Sequence, residues 1–426
     1  MAERRLIDDC FLTDSERLPH DDALAILRDR IGRVVEAETV PLAAATGRIL
    51  AETVTSPRDV PTADNSAVDG YAYAHADYEI TGGFFPVAGR VAAGHPSPLP
   101  HASGSAVRIF TGAIMPIGAD TVAMQEDCET HRQRGRDFVA VPPGLKPGAN
   151  RRKAGEDLAE GATVAGPGSR LRPQEIAAIA STGRDSVSVY RRLSVALVST
   201  GDEIVRPGTP LKEGQVYDSN HFLLAALLRS VDCEIVDAGV LPDDEGAVRA
   251  ALGGLAATNN AVLTTGGASR GEEDHLITSL DALGKRHLWQ LAVKPGRPMS
   301  FGQIGDCAIV ALPGNPVAAF VCFLLYVRPM LIAMGGGDWP EPRRFPVVAD
   351  FSIEKRKLGR REFLRGRLVQ DARGRLAVQK FPRDGSGLIT SLREADGLIE
   401  IIEDVASVKQ GDVVAFLPFS ELGIVS

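Results

Sequence analysis

Apolar residues fall at Ala23, Leu24, Leu27, Ile31 and Val34, a spacing that predicts a helix within the first 35 residues, with Asp21 or Asp22 as its cap. Between about 60 and 150, short β-type runs at 106–110, 121–124 and 138–141 stand between Gly- and Pro-rich turns, the texture of a small β-rich insert. Loops over 148–172 then give way to a helix with Pro173 in its first turn.

From 193 onward the pattern is regular. A strand at 195–198 ends in STGDE (199–203), and a helix runs from Asn220. A strand at 234–236 leads to a loop holding Asp243 and Asp244, and another helix follows. A strand at 261–264 ends in Gly266-Gly267 ahead of a helix near Asp274. A strand at 307–311 ends in PGNP (313–316), which opens a long helix. Strand, polar loop and helix in repetition predict a parallel sheet covered on both faces. After Trp339 five short runs (346–351, 362–369, 375–381, 397–402 and 413–417) predict a compact β-barrel or sandwich.

The chain is therefore read as multidomain α/β. A helical segment over 1–36 packs on the sheet domain, and a linker subdomain spans 37–60 and 146–188. A β-rich insert covers 61–145, a three-layer parallel-sheet domain 189–338, and a C-terminal β-barrel-like domain 339–426. The length of 426 residues agrees with several domains of roughly 150 residues each.

Composition changes this picture in three places. The net charge of -8 argues against binding a nucleic acid backbone, so an anionic substrate needs a local positive island or a bridging divalent cation. The five cysteines, Cys10, Cys128, Cys233, Cys307 and Cys322, are scattered and never spaced C-x-x-C, which predicts buried thiols in a reducing compartment. The N-terminus, MAERRLIDDC, lacks the apolar core of a signal peptide. The most apolar run, 317–326, meets Arg328 and Pro329 and is shorter than the about 20 residues of a membrane span. The protein is expected to be cytoplasmic, without membrane or nucleic acid partners.

Ligands of open α/β sheets bind beyond the carboxyl ends of the strands. Three such ends carry polar clusters: TGDE (200–203), PDD (242–244) and TGGASRGEED (265–274). Helix N-termini after each favour an anion, and glycines admit close backbone approach. Glu203, Asp243 and Asp274 are the candidate Mg²⁺ ligands, since that ion takes one or two carboxylates beside substrate phosphate oxygens. KPGRP (294–298) offers Lys294 and Arg297 on a turn stiffened by two prolines, and Arg365 presents a planar fork. In the insert, Asp64 and Thr111 are a candidate acid and hydroxyl. No P-loop and no G-x-G-x-x-G after a strand occurs.

Nine segments in this order resemble the MoeA/gephyrin family of molybdopterin molybdenumtransferases. They are DNSAVDGYA (64–72), IFTGAIMPIGAD (109–120), GED (155–157), VALVSTGDEI (195–204), VYDSN (216–220), TTGGASRGEED (264–274), VKPGRPMSFG (293–302), LPGNPVAAF (312–320) and GRREFLRGRL (359–368). The resemblance implies an elongated homodimer with a MogA-like sheet domain that binds adenylyl-molybdopterin. The C-terminal domain and the insert, the latter from the partner chain, wall off the cleft. The implied reaction inserts molybdate at the dithiolene sulfurs and releases AMP, assisted by Mg²⁺. An adenylyltransferase of the MogA type and recipient molybdoenzymes are the implied partners.

Residue by residue, the resemblance assigns Asp64, Thr111, Glu203, Asp243 and Asp274 to catalysis, the last three as metal ligands. Ser199, Thr200, Gly201, Gly266, Gly267, Ser269, Lys294, Arg297, Pro298, Gly314, Asn315, Arg365 and Ser386 are assigned to substrate binding. Three positions depart from the pattern: Ala318 stands where many relatives carry Ser, Gln290 where some carry Lys, and Arg297 where Lys is common. The rival expectations are a MogA-like adenylyltransferase and a non-catalytic scaffold of the gephyrin type.

Overall fold

The structure, a computed structural model, describes residues 17–97, 99–266, 275–371 and 373–424. At its centre is a mixed six-stranded sheet. Its order is Glu234–Leu241, Ser194–Thr200, Ala261–Thr265, Cys307–Leu312, Ser300–Ile304, Lys285–Trp289. The first four strands are parallel, as the near-continuous apolar runs predict. Ser300–Ile304 runs antiparallel to both its neighbours, with Lys285–Trp289 at the outer edge, and the sequence reading missed both.

Period-two alternation divides the sheet between two cores. Val195 and Leu197 face one side with Leu263, Val310 and the helices Ser219–Ser230 and Pro316–Cys322. Ala196 and Val198 face the other with Val262, Ile309 and the helices Glu245–Thr258 and His275–Leu283. The chain leaves the strand Ser194–Thr200 for a neighbour on one side and returns to a neighbour on the other. Its carboxyl end is therefore the switch point where such sheets open a crevice.

Two sequence expectations need correction here. The apolar run at 317–326 is not cut off by Arg328 and Pro329, for the helix continues to Met334. A π turn over Phe323–Val327 precedes Pro329 and absorbs the missing amide donor and ring clash of that proline. The resulting helix, Pro316–Met334, is long and apolar enough to cross a bilayer, but 89% of its apolar window is buried inside the protein, as in a core helix. The N-terminal helix spans His20–Arg30 with Pro19 at its cap position, so neither Asp21 nor Asp22 caps it. Asp21 instead accepts two hydrogen bonds from Arg361, at 2.8 and 2.7 Å, across the junction with the C-terminal domain.

That domain is a closed barrel of five strands: Phe345–Ala349, Arg361–Gln370, Leu376–Lys380, Gly397–Ile401 and Val413–Pro418. A short strand from the sheet domain, Val293–Lys294, joins its edge in parallel register, Val293 opposite Arg361 and Lys294 opposite Glu362. The insert is a second six-stranded sheet, from Gly70–Tyr73 through Arg136–Ala140, with its own small cores. The linker pairs Ala37–Pro41 with Ser186–Tyr190 and Val54–Thr55 with Thr163–Ala165. The cysteines described, Cys128, Cys233, Cys307 and Cys322, are free thiols.

Candidate active site

Two cavities meet at the carboxyl edge of the central sheet, sharing Pro298, Pro313 and Asn315. The first, of about 650 Å³, lies over the switch point and is lined by Ser199, Thr200, Glu203, Asn220, Thr265, Gly266 and Gly314. The second, of about 290 Å³, lies between the KPGRP turn and the barrel.

The floor of the first lobe is fixed by the strand-to-loop transitions. Gly201 adopts φ 132° and Gly266 φ 94°, both in the left-handed region that favours glycine. A Cβ at Gly201 would come within 2.5 Å of the Glu203 carboxylate, and one at Gly266 within 2.8 Å of Thr200 Oγ1. VYDSN supplies the rest. Buried Asp218 accepts from Ser199 Oγ at 2.6 Å and caps the helix Ser219–Ser230 through the amide of His221 at 3.0 Å. Asn220 donates both amide hydrogens, to Thr265 Oγ1 at 2.7 Å and to the Gly314 carbonyl at 2.6 Å, tying three loops together.

The second lobe is cationic. Six bases line it (Arg17, Lys294, Arg297, Lys357, Arg360 and Arg365), against one acid, Asp384, among the described residues. This is the positive island that an acidic protein needs for an anionic substrate. Lys294 Nζ stands 3.9 Å from Glu362 and 3.8 Å from Asp384. Glu362, buried, also pairs with Arg360 at 3.0 Å. Burial lowers the pKa of Arg365, whose guanidinium donates to Ser391 Oγ and to the carbonyls of Arg383 and Gly385. Arg365 thus shapes the turn carrying Ser386 as well as lining the lobe, while the Ser386 carbonyl accepts from the Val317 amide at 3.0 Å. Arg297 lies 3.5 Å from Gln290 Oε1, so the Gln at this position orients a cation. Ala318 lines this lobe.

The expected residues distribute unevenly over this geometry. Ser199, Thr200, Glu203, Gly266, Gly314, Asn315 and Pro298 line the first lobe, and Lys294, Arg297, Pro298, Asn315, Arg365 and Ser386 the second. Gly201 forms the turn between Thr200 and Glu203. Asp243 lies just outside, exchanging backbone-to-carboxylate hydrogen bonds with Asp202 at 3.2 and 3.3 Å. Gly267, Ser269 and Asp274 lie outside the described residues. Asp64 and Thr111 line neither lobe of their own chain. Asp64 accepts from the Ala154 amide at 2.9 Å, and Thr111 donates its hydroxyl and amide to Asp69 at 2.8 Å each. Sequence reasoning missed Arg17, Lys357, Arg360, Glu362, Asp384, Asp218 and Asn220. Only VYDSN offered a signal, as a polar cluster ahead of a helix.

Known proteins resemble this chain over most of its length. Residues 18–183 match the model described as "MoeA N-terminal region (domain I and II)". Residues 196–333 match "Probable molybdopterin binding domain", and 349–419 match "MoeA C-terminal region (domain IV)". A molybdopterin molybdenumtransferase of Haemophilus influenzae is 36% identical over 405 residues, 94% of this chain and 98% of the relative. Molybdopterin molybdenumtransferase 2 of Mycobacterium tuberculosis is 35% identical, over 88% of this chain and 93% of the relative. The solved structure of a molybdopterin biosynthesis MoeA protein from Pyrococcus horikoshii superposes with a TM-score of 0.80 at 29% identity, covering 95% of this chain and 100% of the other.

Proposed function

The chain belongs to the MoeA family of molybdopterin molybdenumtransferases, and from that membership we propose that its two-lobed cleft inserts molybdate into adenylyl-molybdopterin and releases AMP. The observation that carries this reading is the union of a cationic lobe with a glycine-floored lobe along one sheet edge. Lys294 and Arg297 hold the oxyanion, and Arg365 keeps the Ser386 turn against it. In the other lobe Gly201, Gly266 and Gly314 let backbone approach the nucleotide-bearing half of the substrate. Charge developing on the leaving phosphate meets fixed cations and amides, which need no reorganisation during reaction.

Of the expected Mg²⁺ ligands, Glu203 lies in the cleft and Asp243 one hydrogen-bonded step away through Asp202, while Asp274 lies outside the described residues. Among the described residues no three His, Cys, Asp or Glu side chains gather into a metal cage. This donor set fits an ion carried largely by substrate phosphate oxygens, with one or two protein carboxylates. Bound there, Mg²⁺ supplies Lewis-acid polarisation of the phosphoanhydride.

The position of Asp64 and Thr111 outside their own cleft supports a homodimer in which the insert of a second copy closes the site. Sedimentation showing a monomer at working concentration would remove that part. On the same reading the enzyme works in the cytoplasm.

The test is AMP release from adenylyl-molybdopterin by the purified protein, with molybdate or tungstate supplied. Release that depends on oxyanion supports the reading; ATP-dependent formation of the adenylate without such release would make the chain an adenylyltransferase instead.

A further inference from the structure

We infer that Asn220 reads the heterocycle of the substrate, its Oδ1 accepting a hydrogen bond from the N–H edge of a fused nitrogen ring. Asn220 is 8% exposed and lines the larger lobe. Its amide orientation is determined by its partners: Nδ2 faces two acceptors, Thr265 Oγ1 and the Gly314 carbonyl, and a flipped amide would set Oδ1 against the carbonyl. Oδ1 is itself buried and has no hydrogen-bond partner among the described residues. An unsatisfied buried acceptor costs free energy, and such groups are nearly always satisfied in native states, by protein, water or ligand.

The ligand that satisfies it must bring a donor. Molybdate and the esterified phosphates of the proposed substrate offer only acceptors at neutral pH, so neither does so. The N–H edge of a pterin or the amino group of adenine does, and the proposed substrate carries both rings. The inference also explains why VYDSN holds its asparagine so tightly. Asp218 fixes the start of the helix, and Asn220 stands in its first turn at the lining of the lobe.

The inference rests on the reading that the cleft binds adenylyl-molybdopterin, and the test separates the two. Binding of molybdopterin, AMP, purine riboside monophosphate and molybdate is measured by calorimetry for the wild-type protein and for Asn220→Ala and Asn220→Asp. Asn220→Ala should weaken one heterocycle about tenfold and leave molybdate unchanged. Asn220→Asp, which keeps an acceptor but loses the donors to the loops, should retain that heterocycle within about threefold if the acceptor is what matters. Loss confined to molybdopterin assigns the pterin edge. Loss seen with AMP but not with purine riboside monophosphate, which keeps the ribose hydroxyls and lacks the amine, assigns adenine; loss of both nucleotides alike assigns the ribose and overturns the inference. Equal loss in both variants, or loss of molybdate affinity alongside, means that Asn220 acts only by joining the loops and overturns the inference. Unchanged binding of both heterocycles overturns it too. A wild-type protein that binds neither heterocycle removes the functional reading itself.

Discussion

Asp384 is the one acid among the described residues lining the cationic lobe, and replacing it with Asn should strengthen oxyanion binding. Its carboxylate lies 2.7 Å from Lys380 and 3.8 Å from Lys294. Burial raises its pKa, but Lys380, Lys294 and Arg365 together hold it below the usual carboxylate range, so it is charged at neutral pH and offsets part of the lobe's field. Both groups of the Lys294 pair keep solvent contact, with side-chain exposures of 34% and 55%, so a water-like dielectric applies. At about 4 Å that gives about 1 kcal/mol of attraction that Lys294 spends on Asp384. Released, the same energy strengthens a bound anion about fivefold. Asp384→Asn should therefore lower the Kd for molybdate about fivefold at low salt, by calorimetry, with the gain shrinking as ionic strength rises. Because exposed pairs contribute about 0–1 kcal/mol to stability, the melting temperature should hardly move. Lys380→Met, which breaks the closer pair without touching the lobe charge balance at Asp384, should not tighten binding. A Kd that stays the same or rises in Asp384→Asn at low salt would refute the claim that this lobe recognises anions by its net field.

Lys294→Ala should weaken molybdate-dependent AMP release tenfold or more while changing stability by no more than about 0.5 kcal/mol, since a half-exposed cation contributes little to a core; a large drop in melting temperature would make the KPGRP turn structural. Arg361→Met removes the partner of Asp21, Glu400 and Glu403 at the junction of helix and barrel. Glu400 keeps Arg344 and Asp21 is largely exposed, so the change should cost about 1–3 kcal/mol in urea unfolding, the loss of hydrogen bonds to charged groups, and no measurable loss would show the network to be solvated. His20 is fully buried against Tyr326 and Phe363, and burial with the nearby Arg361 charge lowers its pKa to about 3. The fold keeps it neutral while the unfolded chain takes up a proton below about pH 6.5. Its contribution is thus present above that pH and lost as pH falls toward 3, about 2 kcal/mol between pH 7 and 5. His20→Gln should flatten the stability profile over that interval, and an unchanged slope would assign the acid sensitivity to other groups.

What could be read from the chain beforehand follows from how local each determinant is. The parallel strands were legible because Val195 to Val198, Ala261 to Thr264 and Cys307 to Ala311 are buried on both faces and must be apolar throughout. The polar residues at their ends were legible because an open sheet has only one rim where ligands gather. Lys285–Trp289 gave no such signal, since an edge strand that opens with charged residues carries neither alternation nor a continuous apolar run. Asp21 looked like a helix cap because acids in first turns usually serve the dipole. Its actual partner, Arg361, is 340 positions away, and no local rule reaches that far.

The same limit explains the cationic lobe. Lys294 and Arg297 announce themselves on a proline-bounded turn, but Arg17, Lys357 and Arg360 are ordinary surface bases until the barrel docks. Two residues, Val293 and Lys294, leave the sheet domain to pair with Arg361 and Glu362, beside a core shared through Phe363, Leu398 and Leu417. That short ladder puts alternate side chains of one barrel strand to opposite uses. Arg361 ties down the N-terminal helix, and buried Glu362 pairs with Lys294 and Arg360, two of the bases that line the lobe. A one-residue slip would exchange these two charges and set Arg361 opposite Lys294 in place of the carboxylate. The register of this ladder therefore sets the charge of the anion site, and it is a property of two domains meeting rather than of any motif in either.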